Sequence, residues 1–404
     1  RPHRRGPAGG EEVLAMAGRV YLDHAATTPL RPEVRQRMIE VLAEAWGNPS
    51  SLHAEGRTAR AVIDQARAQV AELLGCRPRE VIFTSGGTEA DNLALKGVAL
   101  AHGDRGRHIV TTAVEHPAVL QACAALERQG FEVTYVPVDG DGRVDPERVL
   151  AALRPDTILV SVMLVNNEVG TIQPVAEIAA AARARGVLVH SDAVQAAGVL
   201  PLDVEALGVD LLSLSAHKIG GPKGAGALFV RAGTQLLPIL DGGGQERRLR
   251  SGTENTAAIA GFGVAAELAA RHREDRAARL ARLQRRLEEG ILARIPDARI
   301  HGAGAPRAPH ITNVGLPGVT ADTVLIQLDL EGIAASSGSA CSAGTPEPSH
   351  VLQAMGLSAD EAFRAVRFSL GDGNTEADVD RVLEVLPRVV ERARRAQALG
   401  LAGT

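Results

Sequence analysis

Between Val81 and about Val230, short β-branched apolar runs alternate with amphipathic stretches, a rhythm that restricts the chain to an α/β layer built on a mostly parallel sheet. The runs are Val81 to Thr84, His108 to Thr111, Val133 to Val136, Ile158 to Met163, Val187 to His190 and Leu211 to Leu214. Between them, Thr88 to Leu100, Ala118 to Gln129 and Val175 to Arg185 place apolar residues three and four apart, as helices do. After the Gly242-Gly243-Gly244 loop, Thr256 to Glu289 reads as one long or broken helix that stops near Gly290. His310 to Val314, Thr320 to Glu331, Ala365 to Ser369 and Glu376 to Ala398 then form a shorter set, suited to a smaller α+β C-terminal domain. The expected division is a disordered leader at 1–18, a large domain at 19–262 whose N-terminal arm packs on the small one, and a small domain at 263–404.

Composition removes several function classes. The 404 residues carry 44 basic and 48 acidic side chains, net −4, so no positive field draws in nucleic acid. One Trp, two Tyr and six Phe are too few for base-stacking platforms or an interfacial belt. Three cysteines make no disulfide framework and fit a reducing, cytoplasmic setting. In the leader, Val13 to Ala17 is too short for a secretory core, Glu11 and Glu12 argue against a transit peptide, and Met16 is a candidate natural start. No run is long and apolar enough for a membrane span.

The chemistry gathers at strand ends. Val81 to Thr84 runs into Ser85-Gly86-Gly87-Thr88-Glu89 and a helix, where small residues and free N–H groups suit a phosphate. Such a turn is also ordinary punctuation, and this one lacks the third Gly of a dinucleotide fingerprint and the Lys of a P-loop. Val187 to Ser191 ends in Asp192, with Gln195 one turn later. Taken alone, Asp192 reads as the cap of a helix starting near Ala193; the sharper reading is a partner for a protonated ring nitrogen. Lys218, just past Leu211 to Leu214 and enclosed by Gly and Pro, is either solvated charge or a partly desolvated Schiff-base amine. Together a phosphate turn, an Asp and a Lys at successive strand ends meet the three demands of pyridoxal 5′-phosphate.

The sequence resembles the cysteine desulfurases of the NifS/IscS type, in the class V aminotransferase group of fold-type I pyridoxal-phosphate enzymes, from about Tyr21 to Arg381. The resemblance is carried by YLDHAATTP (Tyr21 to Pro29), GNPSSLH (Gly47 to His53), FTSGGTEADN (Phe83 to Asn92), EHPAV (Glu115 to Val119) and VNNEVG (Val165 to Gly170). It continues in SDAVQ (Ser191 to Gln195), SAHKIGGPKG (Ser215 to Gly224), GGGQERRLRSGTEN (Gly242 to Asn255) and SSGSACSAG (Ser336 to Gly344). It implies that Lys218 carries the cofactor, that Asp192 pairs with its ring nitrogen, that His116 stacks on the ring and moves a proton, and that Gln195 bonds the ring oxygen. Gly87, Thr88, Ser215 and His217 would hold the phosphate, with Thr253 reaching it from the second subunit of a homodimer. Arg367 in VRFSLG would clamp the α-carboxylate of the substrate, helped by Asn167. One departure stands out: the family usually has Arg after SLG, whereas Ser369-Leu370-Gly371 leads here to Asp372, which puts any contact at that position in doubt.

Cys341 lies in a run without bulky side chains, a setting for a mobile carrier thiol or for a small buried turn residue. Cys76 and Cys123 read as structural. No close-spaced Cys and His ligand pairs point to a metal. The expected activity is conversion of L-cysteine to L-alanine with a persulfide on Cys341, the sulfur passing to an acceptor protein such as an iron–sulfur scaffold or a thiolation protein. The alternatives are a selenocysteine lyase, an aminotransferase on the same fold, or a catalytically silent assembly platform; Cys341 argues against transamination, and the retained Lys218, Asp192 and His116 argue against silence.

Overall fold

The computed structural model describes residues 18–337 and 347–398. Its main sheet has seven strands in the order Val81–Thr84, Gly226–Val230, Leu211–Ser215, Leu188–Asp192, Thr157–Ser161, His108–Thr112, Glu132–Val136. Six share one direction, and Gly226–Val230 runs antiparallel to both neighbours. All six apolar runs read from the sequence lie in this sheet, with no end displaced by more than two residues. The seventh strand follows Leu211–Ser215 after a short Gly- and Pro-rich connection, which allows only an antiparallel return. Leu211–Ser215 is buried along its whole length, as strands covered on both faces are.

Helices Ala54–Leu74 and Gly87–His102 cover the sheet together with the first half of a 39-residue helix, Thr256–Arg294. At about 1.5 Å per residue this helix is some 58 Å long, and it enters two hydrophobic cores. Ala258 to Ala269 pack with the sheet strands, while Leu280 to Ile291 pack with Val314, Phe368 and Leu386. The boundary expected at 262/263 therefore falls inside a continuous helix. The stop expected at Gly290 is also absent, because glycine serves packing there: a Cβ would lie 2.4 Å from a methyl of Leu383 on the helix Glu376–Ala398.

The second core lies under a three-stranded antiparallel sheet with Ile311–Gly315 between Arg299–His301 and Ala365–Ser369. Val20–Tyr21 pairs in parallel with Ile333–Ala334, which ties the N-terminal arm to this part of the molecule. Among the described residues no helix is long and apolar enough to cross a membrane.

Candidate active site

The carboxyl edge of the main sheet, where ligands bind in open α/β folds, opens into a cavity of about 840 Å³. Its walls bring together Gly87 and Thr88 from one helix start, His116 just ahead of another, Asp192 at the end of one strand with Gln195 beyond it, and Ser215 at the end of the next with His217 and Lys218 beyond it. Asn167 and Arg367 close the far side. Thr253 does not line this cavity and is exposed on the surface. Cys341 lies outside the described residues.

At the helix start, a Cβ on Gly87 would lie 2.8 Å from Val194 and 3.6 Å from the Ser215 Cβ, so no side chain could stand between that helix N-terminus and the strand end. The helix has no side-chain cap at Gly86, which leaves its first N–H groups beside the cavity with the Ser215 and Thr88 hydroxyls. His217 places Nδ1 3.1 Å from the Thr27 hydroxyl, and burial pulls its pKa down to about 4, so it is a neutral ring. This donor set fits a phosphate.

Asp192 caps no helix: the chain after it makes hydrogen-bonded turns, and one carboxylate oxygen accepts the Val194 N–H at 2.9 Å. Burial raises its pKa, while His116, the Val194 N–H and Lys218 oppose the rise. A buried carboxylate at the cavity floor with no ion-paired Lys or Arg among the described residues fits a protonated ring nitrogen. Gln195 donates to the Ala25 carbonyl at 2.8 Å, and its oxygen lies 3.4 Å from the His310 ring. The Lys218 amine donates to the carbonyls of Ala25 and Ala26 at 2.5 and 2.8 Å. Burial, then the nearby Arg367, pull it down to about 8, against the opposing pull of Asp192 and Asp23. A sizeable fraction of free amine near neutral pH is what a Schiff-base lysine needs. The phosphate cradle, the Asp192 floor and the softened Lys218 amine together match pyridoxal phosphate.

His116 is the N-cap of the helix Pro117–Glu127, and its Nδ1 accepts the Ala118 N–H at 3.1 Å. A nitrogen that accepts carries no proton, so Nε2 holds it. Ligand atoms of Asp91, His116 and Asp192 lie within 4.8 Å of one another, the one such group of His and carboxylates among the described residues. One ring nitrogen is taken and the other is protonated, so His116 stands ready as a donor.

Arg367, on the strand Ala365–Ser369, is almost fully buried. Its guanidinium binds the Asn167 carbonyl at 2.8 Å and Asp23 at 2.9 Å, and its Nε is buried with no hydrogen-bond partner in the described structure. A buried cationic N–H awaiting an acceptor suits a substrate carboxylate.

Sequence reasoning missed Asp91, Glu115, Glu168 and His350. Glu115 is fully buried, takes the Thr112 hydroxyl at 2.6 Å and the Met163 N–H at 3.0 Å, and burial lifts it to about 8. Ser349 donates to Glu168, and His350 donates to the Glu115 carbonyl at 2.9 Å on the cavity wall. The signal available was a charged residue on an otherwise apolar stripe, as Asp91 is beside Leu95 and Val98. Cys76 and Cys123 are pushed up to about 12, burial being the larger cause in each, so neither is a thiolate at neutral pH.

The class-V aminotransferase family matches residues 20–382. A cysteine desulfurase IscS of Methanosarcina thermophila is 47% identical over 96% of both chains, and one of Dictyoglomus turgidum is 48% identical over 94% of this chain and 96% of its own. Among solved structures, a NifS-like protein superposes with a TM-score of 0.86 at 40% identity, covering 93% of this chain and all of its own. A NifS-like protein from Rickettsia africae gives 0.84 at 35% identity, covering 92% and 99%. The chain belongs to the class-V aminotransferase family and, within it, to the pyridoxal-phosphate-dependent cysteine desulfurases of the NifS/IscS type.

Proposed function

We propose that this protein takes sulfur from L-cysteine, releasing L-alanine and leaving a persulfide on Cys341. The observation that carries the reading is the meeting, in one cavity, of the Lys218 amine, the buried Asp192 carboxylate, the His116 N–H donor and the unpaired Arg367 N–H.

Arg367 takes the substrate carboxylate with Asn167 beside it, which fixes the α-carbon near Lys218. Bound pyridoxal phosphate supplies an electron sink for the charge that develops at that carbon. Lys218 would hold the cofactor and, as a free amine, would take the α-proton and return it. Asp192 would keep the ring nitrogen protonated, Gly87, Thr88, Ser215 and His217 would hold the phosphate, and Gln195 would meet the ring oxygen. His116 gives or takes a proton at the sulfur through Nε2. The Cys341 thiolate attacks the substrate sulfur: an S–S bond forms, the C–S bond breaks, its electron pair stays on carbon, and a proton completes the alanine methyl.

A homodimer fits the exposure of Leu42, Trp46 and Leu52, large apolar side chains that a second copy would cover, and it would let Thr253 serve the neighbouring site. We propose 19–262 as the cofactor-binding domain and 263–404 as the small domain, with the helix Thr256–Arg294 entering the cores of both. The acceptor is an iron–sulfur scaffold or thiolation protein in the cytoplasm. The deciding assay supplies L-cysteine to the purified, cofactor-loaded protein and measures alanine and sulfide with and without reductant. Alanine in step with sulfide, the sulfide dependent on reductant, supports the reading; pyruvate or an amino-group product without sulfur release overturns it.

A further inference from the structure

Asp91 has no part in the roles assigned above, yet it stands on the cavity wall four residues into the helix that opens the phosphate cradle. One of its carboxylate oxygens is within 4.8 Å of Asp192 and of His116. Its side chain is 2% exposed, and its Oδ1 is fully buried with no hydrogen-bond partner in the described structure. The nearest ring, that of His190, is 3.6 Å away, too far for a hydrogen bond. That ring already meets the hydroxyls of Ser161 and Ser213, and burial drives its pKa to about 3, so it brings no positive charge.

The other groups facing Asp91 settle which of the two acids keeps a proton. Asp192 is a like charge on the adjacent strand, and Glu115 is a third buried acid in the turn before His116. Only the Ser213 hydroxyl favours a charged Asp91, while burial and both acids push its pKa well up. Asp192 has the better support for charge, from the Val194 N–H, His116 and Lys218. Two buried carboxyls this close cannot both ionise without a cation, so a proton rests on the worse-supported one.

We infer that Asp91 is a second acid of the cofactor floor, a positioning residue that stays neutral and offers its O–H toward Asp192, so that Asp192 remains the carboxylate under the ring nitrogen. The inference rests on the reading that Asp192 faces that nitrogen. A neutral donor beside Asp192 stabilises its ionised form, whereas a second negative charge would oppose it.

The test is the affinity of the cofactor-free protein for pyridoxal phosphate between about pH 6 and pH 8.5, followed by fluorescence quenching, for the parent, Asp91→Asn and Asp91→Ala. Asn, a neutral group that still donates, should follow the parent. Ala should bind about tenfold more weakly near pH 6, with the deficit shrinking toward pH 8.5, as expected if Asp192 loses a donor worth about one pKa unit. The inference is overturned if both variants hold the cofactor better than the parent near pH 6, if Asn falls with Ala, or if Ala weakens binding equally at every pH. Should Ala fail to fold by circular dichroism, Asn alone decides: a parental profile supports the inference and a displaced one ends it. A parent that binds no pyridoxal phosphate at any pH would instead remove the reading of the site itself.

Discussion

Arg31, the residue ahead of the helix Pro32–Glu44, places a guanidinium nitrogen 2.5 Å from one carboxylate oxygen of Asp372, while Arg276 of the long helix places its Nε 2.6 Å from the other. Arg279 binds the carbonyls of Gly371, Asp372 and Asn374 around the same loop. The residue that departs from the family pattern is therefore held by three arginines and lies away from the cofactor cavity. Burial would raise the Asp372 carboxyl, but Arg276 and Arg31 win and hold it below its ordinary value. A depressed carboxyl contributes stability above its unfolded pKa and loses it as the pH falls through the folded one.

Asp372→Ala leaves Arg276, whose side chain is 9% exposed, without its carboxylate, and should cost about 1–3 kcal/mol in urea unfolding. Asp372→Arg should cost more, and the double exchange Arg31→Asp with Asp372→Arg should recover a coupling of about 0.5–3 kcal/mol. Additive effects in that cycle would show that the pair does not interact.

The chain contains only three lysines, Lys96, Lys218 and Lys223, so attachment of the cofactor is easy to map. Borohydride reduction of the loaded protein should fix the label on Lys218, and Lys218→Ala should lose turnover by at least about 10²–10⁴-fold. Because its pKa is lowered to about 8, the free amine forms as the pH rises through that value, and the rate of cofactor attachment should rise with it and then level. Label on Lys223, or an attachment rate still climbing near pH 10, would show that this amine is not softened as the geometry requires.

The turn Glu246, Arg247, Arg248 has φ values of 43°, 58° and 65°, a left-handed path for three non-glycine residues. Glu246 holds it by a paired contact with Arg67 at 2.6 and 2.7 Å and by accepting the Phe83 N–H at 2.8 Å. Glu246→Ala should therefore cost about 3–5 kcal/mol, since it leaves the nearly buried Arg67 charge alone. A loss below about 1 kcal/mol would mean that the turn is held by something else.

Asp192, Ser215 and Lys218 were legible in the sequence because the first two close buried strands and the third follows within one turn, so the sheet carries them to one edge. Asp91 and Glu115 were not, since their nearness to Asp192 arises from the stacking of a helix and a turn on different strands, and neither spacing nor residue type records that. Gly290 misled for a related reason: a glycine inside a helix reads as a stop when no sequence signal announces the Leu383 side chain that needs its space.

Glu115 gives a stability signature of opposite sign to Asp372. Its folded pKa is raised to about 8, so its contribution is full below the unfolded value of 4.5 and is lost as the pH climbs through about 8. Glu115→Gln keeps an acceptor for Thr112 and Met163 but cannot ionise. Relative to the parent it should gain stability steadily between about pH 5 and pH 8, read by urea unfolding at a series of pH values. A difference that stays constant with pH would show that Glu115 is already charged across that range.

Cofactor chemistry and sulfur transfer should separate at Cys341. The groups that fit the cofactor and the substrate carboxylate line the cavity at the sheet edge and on the strand Ala365–Ser369, more than twenty residues from Cys341 in sequence. Cys341→Ala should therefore bind pyridoxal phosphate as the parent does and still show a spectral change with L-cysteine, yet release alanine at least about 10²-fold more slowly for want of a nucleophile. Cys76 and Cys123, with thiols pushed up to about 12, are poor nucleophiles, and Cys76→Ala and Cys123→Ala should keep desulfuration. Because Cys123 is fully buried in a core with Leu93 and Leu126, its loss should lower stability while leaving the reaction in place. Mass spectrometry after exposure to L-cysteine should find one added sulfur on the Cys341 peptide; sulfur on Cys76 or Cys123, or a Cys341→Ala variant as active as the parent, would overturn the transfer step.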